Sequence, residues 1–320
     1  MSGVLKRGLQ SGLMLAWTLG KIIFPVTLII TIVSHTPFFP VIIGWFEPFM
    51  KLLGLPGEAA VPIVLGNFSN LYAGIGAIIT FDFTVKEVFI MAIMLSFCHN
   101  LLVESSIAAK VGVKWWIIVG VRAGLAIFSA IIINLFWQGG GEMAQYGMIS
   151  SSGPDPQTWW EITYLGLETA FIAILQLALI VIPLMIVMQW LRESGHFDRM
   201  SRWLAPFTKI IGVERNASMT LVTGLTIGLA YGAGLMIQAV KEDGISKKDM
   251  TLVLIFLVSC HAVVEDTLVF APLGIPLWPL LVIRLVTAII LTATIGFIWK
   301  RVEINKRKES TAHEHSYTSL

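Results

Sequence analysis

The residues best suited to chemistry come in two matching groups. Cys98-His99 is followed by Glu104-Ser105, and Cys260-His261 by Glu265-Asp266-Thr267. The two Cys-His pairs lie 162 residues apart, each in an apolar stretch. Thiolate and imidazole are soft donors that suit iron or zinc better than magnesium. A carboxylate at the centre of a membrane helix costs about 2.5–3.5 kcal/mol, so Glu104, Glu265 and Asp266 are expected to face a cavity or a partner. Setting Glu104 against Asp266 sets Ser105 against Thr267, so an acid followed by a hydroxyl recurs. His261 and Glu265 are four apart and share a face of a regular helix. His99 and Glu104 are five apart and share one only if the helix breaks between them. Two such clusters meeting across a two-fold axis offer one divalent ion the ligands Cys98, His99, Glu104, Cys260, His261 and Asp266. Adjacent Cys and His diverge by about 100° on a helix, so both reach one ion only where the backbone unwinds. The cysteines alone read as packing residues, and the histidines with their acids as a functional cavity.

These groups sit inside a duplication. At the offset of 162, Lys86 matches Lys248, Gly112 matches Gly274, Trp116 matches Trp278, Arg122 matches Arg284 and Trp137 matches Trp299. Upstream the offset is 158: Gly8 matches Gly166, Pro25 matches Pro183, Trp45 matches Trp203, Pro48-Phe49 matches Pro206-Phe207, and Gly66 matches Gly224. The change falls where the second copy carries a longer polar loop, Lys241-Glu242-Asp243-Gly244. The copies run over 8–137 and 166–299, joined by a linker at 138–165 and followed by a tail at 300–320.

Composition sets the solvent. Hydrophobic residues make up 56% of the chain and charged ones 13%, against about 25% charged in soluble domains, and the mean hydropathy is +0.81. Stretches 12–34, 86–110, 115–137, 167–191, 250–272 and 277–299 are long enough to cross a hydrocarbon core about 30 Å thick. The chain reads as an all-α polytopic membrane protein of a cell (plasma or inner) membrane. A net charge of +2 carries no nucleic-acid signal. The first apolar run is too long for a signal peptide, and two cysteines make no disulfide framework.

Lys and Arg mark cytoplasmic loops. They occur at Lys6 and Arg7, at Lys110 and Lys114, at Arg192, Arg199 and Arg202, at Lys241, Lys247 and Lys248, and five times in 300–308. None occurs from 123 to 191, which puts the linker outside and both termini in the cytoplasm. The first copy then runs from inside to outside and the second from outside to inside. Inverted repeats characterise transporters, with the site near the midplane.

Each copy must cross an odd number of times. The pieces 41–54 and 199–212 carry Trp, Phe and Lys around a proline and read as interfacial helices. Segment 59–81 holds Gly66-Asn67-Phe68-Ser69-Asn70, Gly74 and Gly76, and its partner 217–238 holds Gly224, Gly228, Gly232 and Gly234. Such composition favours a hairpin that enters and leaves on one side. Irregular backbone at that depth survives only where it is buried in protein or lines a cavity.

A helix, an interfacial helix, a re-entrant hairpin, a broken helix and a closing helix, repeated in inverted form, resemble the core of the concentrative nucleoside transporters. The same Gate, or nucleoside-recognition, repeat occurs in bacterial ferrous iron permeases and in spore-maturation membrane proteins. The resemblance rests on the glycine-rich hairpins and on Phe97-Cys98-His99-Asn100 through Glu104-Ser105 with Ser259-Cys260-His261 through Asp266-Thr267. It implies that hairpin tips and helix breaks line a substrate site. On this chain that means Asn67, Ser69, Asn70, His99, Asn100, Glu104 and Ser105 in the first copy, and Tyr231, His261, Glu265, Asp266 and Thr267 in the second. The second hairpin lacks amides, and the phosphate-binding Gly-x4-Gly-Lys-Ser/Thr of the iron permeases is absent from the sequence.

These features predict a transport protein without an ATPase of its own, moving a small polar solute of the nucleoside type by alternating access. Glu104, Glu265 and Asp266 are expected to carry coupling protons or hold a coupling cation, with no other cofactor. Two other readings stay open: a divalent-metal permease, and a non-transporting subunit that binds a partner. The expected partners are membrane lipid, the solute, and a second copy or another membrane subunit. An enzyme is the least expected class, because no His-Glu-x-x-His pattern occurs. Arg122 and Arg284 either snorkel or pair with the acids. The polar tail from Arg301 is expected to lack regular structure.

Overall fold

The computed structural model describes residues 2–149, 156–229, 234, 236–238 and 244–317. Among them no strand forms; the only extended pairing is an isolated bridge between Thr84 and Met143. Five helices are long and apolar enough to cross a bilayer: Gly3–Ser34, Val85–Lys110, Trp115–Phe136, Trp159–Glu193 and Leu277–Glu303.

The first helices of the two copies, α1 (Ser2–Ser34) and α8 (Trp159–Glu193), pack against each other along their lengths. Glycines make the approach possible. A Cβ on Gly8 would lie 2.7 Å from the Ile186 Cα, one on Gly12 2.8 Å from the Ile182 Cα, and one on Gly166 2.9 Å from the Leu28 Cδ1. As numbers rise along α1 they fall along α8, so the pair is antiparallel. Arg7 donates to both carboxylate oxygens of Glu193 at 2.7 and 2.6 Å, an exposed clasp that contributes little.

After α1 the chain turns into α2 (Phe39–Leu52), whose Phe38, Trp45, Phe49 and Leu52 flank are exposed. The axis then bends by 92° into the next helical segment. The matching piece is shorter: α9 (His196–Leu204) ends before Pro206, and only a single turn at Phe207–Lys209 continues it. The expected helix over 199–212 is therefore broken at its proline, which cannot donate to the ladder.

Next come α3 (Ala60–Phe68) and α4 (Leu71–Ile78). At 1.5 Å per residue each is about 13 Å long, under half a hydrocarbon core. They fold back on each other: a Cβ on Gly74 would sit 3.0 Å from the Pro62 carbonyl and 3.2 Å from the Gly66 Cα. Asn70 makes the turn, its side chain capping α4 through the Ala73 N–H at 3.0 Å. The expected hairpin is present here. In the second copy, α10 (Ser218–Ile227) supplies the entering arm and ends at Gly228, whose φ is +94°. Gly232, the polar loop 241–243 and the site candidate Tyr231 lie outside the described residues.

Two buried helices form the axis of the molecule. In α5 (Val85–Cys98) every residue from 88 to 98 is buried, and in α11 (Lys247–Ser259) every residue from 249 to 259. Each stops at the Cys-His pair. The first chain resumes as α6 (Leu101–Lys110) and closes with α7 (Trp115–Phe136). The second resumes only as α12 (Glu265–Leu268) and a turn at Ala271–Leu273 before α13 (Leu277–Tyr317). The stretch 250–272 is thus the expected broken helix: the backbone leaves the helix at Cys260 and turns at Ala262, whose φ is +40°. The tail expected to lack structure continues α13 as helix to Tyr317.

The copies exchange parts of their cores. The cluster around α5 includes Val269, Phe270, Leu273 and Leu280 from the second copy. The cluster around α11 includes Ile107, Ala108, Val111, Val113 and Ile118 from the first. These two borrowed segments correspond at the offset of 162, so each copy buries the same stretch of the other. The linker joins in. Ala144 and Tyr146 are buried in the first cluster. The Tyr146 hydroxyl donates to the Phe81 carbonyl at 2.9 Å, and burial raises its phenol above the usual range.

We expect Gly12→Ala to lower the melting temperature of the detergent-solubilised protein, at a cost of about 1–3 kcal/mol for overpacking. Gly44→Ala, where nothing lies within 4 Å of the new Cβ, should leave it unchanged or raise it. Equal melting curves for the two would refute close glycine packing of α1 on α8.

Candidate functional site

The site begins with two backbone breaks. Asn100 adopts φ +48° and Ala262 φ +40°, left-handed values that end α5 and α11. Asparagine tolerates that region; alanine is strained there by about 1–2 kcal/mol. Hairpin glycines receive the turned backbone: the Asn100 N–H donates to the Gly66 carbonyl at 2.8 Å and the Ala262 N–H to the Gly224 carbonyl at 3.2 Å.

A break strips carbonyls of their helical donors. Two arginines replace them. Arg122 from α7 donates its Nε to the Phe97 carbonyl at 2.8 Å and an NH2 to the His99 carbonyl. Arg284 from α13 donates to the His261 carbonyl at 2.8 Å. Both side chains are fully buried, at 0% exposure. Snorkelling is excluded; they pair with acids. Arg122 NH2 lies 2.9 Å from Glu104 Oε2, and Arg284 NH2 3.2 Å from Asp266 Oδ2. Arg284 also donates to the Thr267 hydroxyl at 3.3 Å.

The two halves meet at the histidines. The His99 and His261 rings lie 5.1 Å apart, tilted by 43°. His99 Nε2 is 3.4 Å from Glu104 Oε1, and His261 Nε2 is 3.4 Å from Glu104 Oε2 and 3.6 Å from Asp266 Oδ2. Glu104 therefore serves both copies. His261 pairs with Asp266, five residues on, and not with Glu265, four on, because the helix that would align them is broken. Glu265 instead accepts from the Tyr72 hydroxyl at 3.1 Å, a contact from the first hairpin to the second broken helix.

The remaining expected residues scatter. Asn67 carries a buried Oδ1 without a hydrogen-bond partner, and the buried Ser105 hydroxyl also lacks one. Ser69 and Asn70 bond each other at 3.2 Å, so Asn70 is occupied with its own hairpin. Cys98 belongs to the first hydrophobic cluster and Cys260 to the second. Among the described residues, the donor atoms that come within 4.8 Å of one another are those of His99, His261 and Asp266, with neither thiol. The expected Cys-His ligand set does not assemble, since the backbone turns between Cys and His. The arginines weigh against a divalent cation on the three that remain. Arg284 lies 3.2 Å from Asp266 Oδ2, and two guanidiniums beside the three residues would repel a cation in a medium of low dielectric.

Sequence reasoning left the arginines undecided and passed over Tyr72. The repeat of Arg122 at Arg284 was the available signal for the first. Tyr72 carries none, because its position in the second copy, Ala230, is apolar.

A family model described as Gate, nucleoside recognition, matches residues 16–114 and 174–276. The two matches begin 158 residues apart and end 162 apart, the offsets of the duplication. The chain is also similar to the uncharacterized membrane protein YvoD of Bacillus subtilis (strain 168), with 58% identity over 301 residues covering 94% of this chain and 96% of that protein.

Removing one member of a buried pair strands the other. We expect Arg122→Gln to destabilise by about 3–5 kcal/mol, and Arg122→Gln with Glu104→Gln to recover much of that loss. Chemical denaturation of wild type, both single variants and the double variant measures the coupling; additive losses would show that the ion pair contributes nothing.

Proposed function

The chain belongs to the Gate (nucleoside recognition) family of multi-pass membrane proteins, and from that membership we propose that it is a carrier for a small polar solute of the nucleoside type. One observation carries the reading. Two helix breaks in the protein interior, one from each copy, bring ionisable side chains into contact between the copies. Membrane proteins bear the cost of such groups where solutes or ions pass. Two copies that touch through charged and polar groups, and that hold segments of each other's cores, suit a rocking exchange of a central site between the two faces.

The first hairpin supplies the recognition groups. Asn67 offers a buried amide oxygen with no partner, and Asn100 sits at the break beside it. Tyr72 and Glu265 form a hydroxyl–carboxylate pair at the junction of the copies. Amide, hydroxyl and carboxylate match the donors and acceptors of a base and a ribose. In the second copy the positions that correspond to Asn67, Ser69 and Asn70 are Leu225, Ile227 and Gly228, which offer no polar side chain. The distribution of Lys and Arg supports cytoplasmic termini and a cell membrane location. No enzymatic step is assigned to the site, and the charge argument above disfavours a divalent metal as cargo.

Uptake of radiolabelled nucleosides into liposomes containing the purified protein tests the reading. Asn67→Ala and Tyr72→Phe should fold normally and lower uptake about tenfold each, the cost of one unpaired polar group. Folded protein that moves no nucleoside would reject it and turn attention to a partner-binding subunit.

A further inference from the structure

The histidine contacts carry information about a proton. The His99 Nδ1 lies 2.7 Å from the Leu95 carbonyl, and the His261 Nδ1 lies 2.9 Å from the Leu257 carbonyl. A carbonyl only accepts, so each Nδ1 must bear hydrogen. That leaves Nε2 as a lone pair in the neutral ring. Both Nε2 atoms face the Glu104 carboxylate, at 3.4 Å from its two oxygens. The carboxylate is an acceptor as well. A lone pair against a carboxylate is repulsive, and more so among buried groups, where the effective dielectric is low. One hydrogen on an Nε2 turns repulsion into a charge-assisted bond.

The charged and titratable groups at the centre come from every element packed there: Tyr72 from α4, His99 from the end of α5, Glu104 from α6, Arg122 from α7, Arg192 from α8, His261 from the second break, Glu265 and Asp266 from α12, and Arg284 from α13. The thiols of Cys98 and Cys260 are adjacent in the chain but lie in the apolar clusters. Arg122 faces Glu104 and Arg284 faces Asp266, while Glu265 accepts from Tyr72 and interacts with Arg192. It is the geometry of the two Nε2 atoms against Glu104 that points to a proton.

We propose that the centre binds a single proton on the His99–Glu104–His261 bridge, and that this proton joins the two copies. The proton comes from solvent water and forms an N–H bond at one Nε2, which donates to Glu104. With it, Glu104 of the first copy holds the histidine of either copy. Without it, the lone pairs of both rings oppose the carboxylate and the contact between copies loosens. Raising the pH therefore weakens the junction. The inference deepens the carrier reading, because a proton that governs contact between the copies would be its coupling ion, but the bound proton can be observed without transport.

Nitrogen-15 NMR of full-length protein labelled at histidine, in lipid nanodiscs, reads the protonation of each ring nitrogen. His99→Gln and His261→Gln assign the two signals. At neutral pH the wild type should show hydrogen on both nitrogens of one ring, or one proton shared between the rings, with the other ring carrying hydrogen on Nδ1 alone. Raising the pH should remove that single proton, and added zinc chloride should leave both rings unaltered. In Glu104→Gln the amide can donate to Nε2, so both rings should carry hydrogen on Nδ1 only. If that variant fails to fold, the wild-type titration alone decides. Wild-type rings that both remain singly protonated from about pH 5 to 8, or zinc coordination to both Nε2 atoms, would overturn the proposal. A proton that is present in protein unable to move nucleosides would reject the carrier reading and leave the proton site standing.

Discussion

Two arginines in a lipid-embedded interior set the terms for everything around them. An unpaired backbone carbonyl at that depth costs several kcal/mol, and a break in a buried helix creates such carbonyls at once. Arg122 and Arg284 satisfy them at Phe97, His99 and His261. A guanidinium cannot shed its charge, so it needs a carboxylate in turn. Glu104 and Asp266 answer that need from the helical turns just past the breaks. Breaks, arginines and acids are thus one unit, and removing any part leaves the others without partners.

That unit is built twice and made to meet itself. Gly66 and Gly224 accept the turned backbone at equivalent places. Neither has room for a side chain, because Leu95 and Leu257 press against them. The exchange of 107–118 for 269–280 between the two cores holds the halves in register. Near-symmetry ends at the hairpin tips. In sequence, Asn67, Ser69, Asn70 and Tyr72 correspond at the offset of 158 to Leu225, Ile227, Gly228 and Ala230.

Much of this was legible in the sequence, and the exceptions share a cause. Matched glycines, prolines and tryptophans revealed the duplication; at Gly8 and Gly166 the match reflects close packing of α1 on α8, which leaves no room for a side chain. Hairpin composition at 59–81 revealed the re-entry. Helical periodicity misled where the helix stops. It paired His261 with Glu265, although the break hands His261 to Asp266. Contacts between copies, such as Tyr72 with Glu265 or Glu104 with His261, join residues more than 150 positions apart. No spacing rule reaches that far.

The same break explains the fate of the Cys-His pairs. Cysteine beside histidine in an apolar helix invites a metal, and their repetition strengthens the invitation. Each cysteine, however, belongs to the helix before the break and packs with it: Cys98 in the cluster around α5, Cys260 in the one around α11. Each histidine begins the turned segment and points to the centre, while its Nδ1 still grips the last helical turn. The boundary between apolar core and ionic centre runs between the two residues. Sulfur is small, polarisable and content among hydrocarbons, so it closes the helix end where a larger polar residue would need a partner. Imidazole on the other side finds arginine-held carboxylates already compensated for charge.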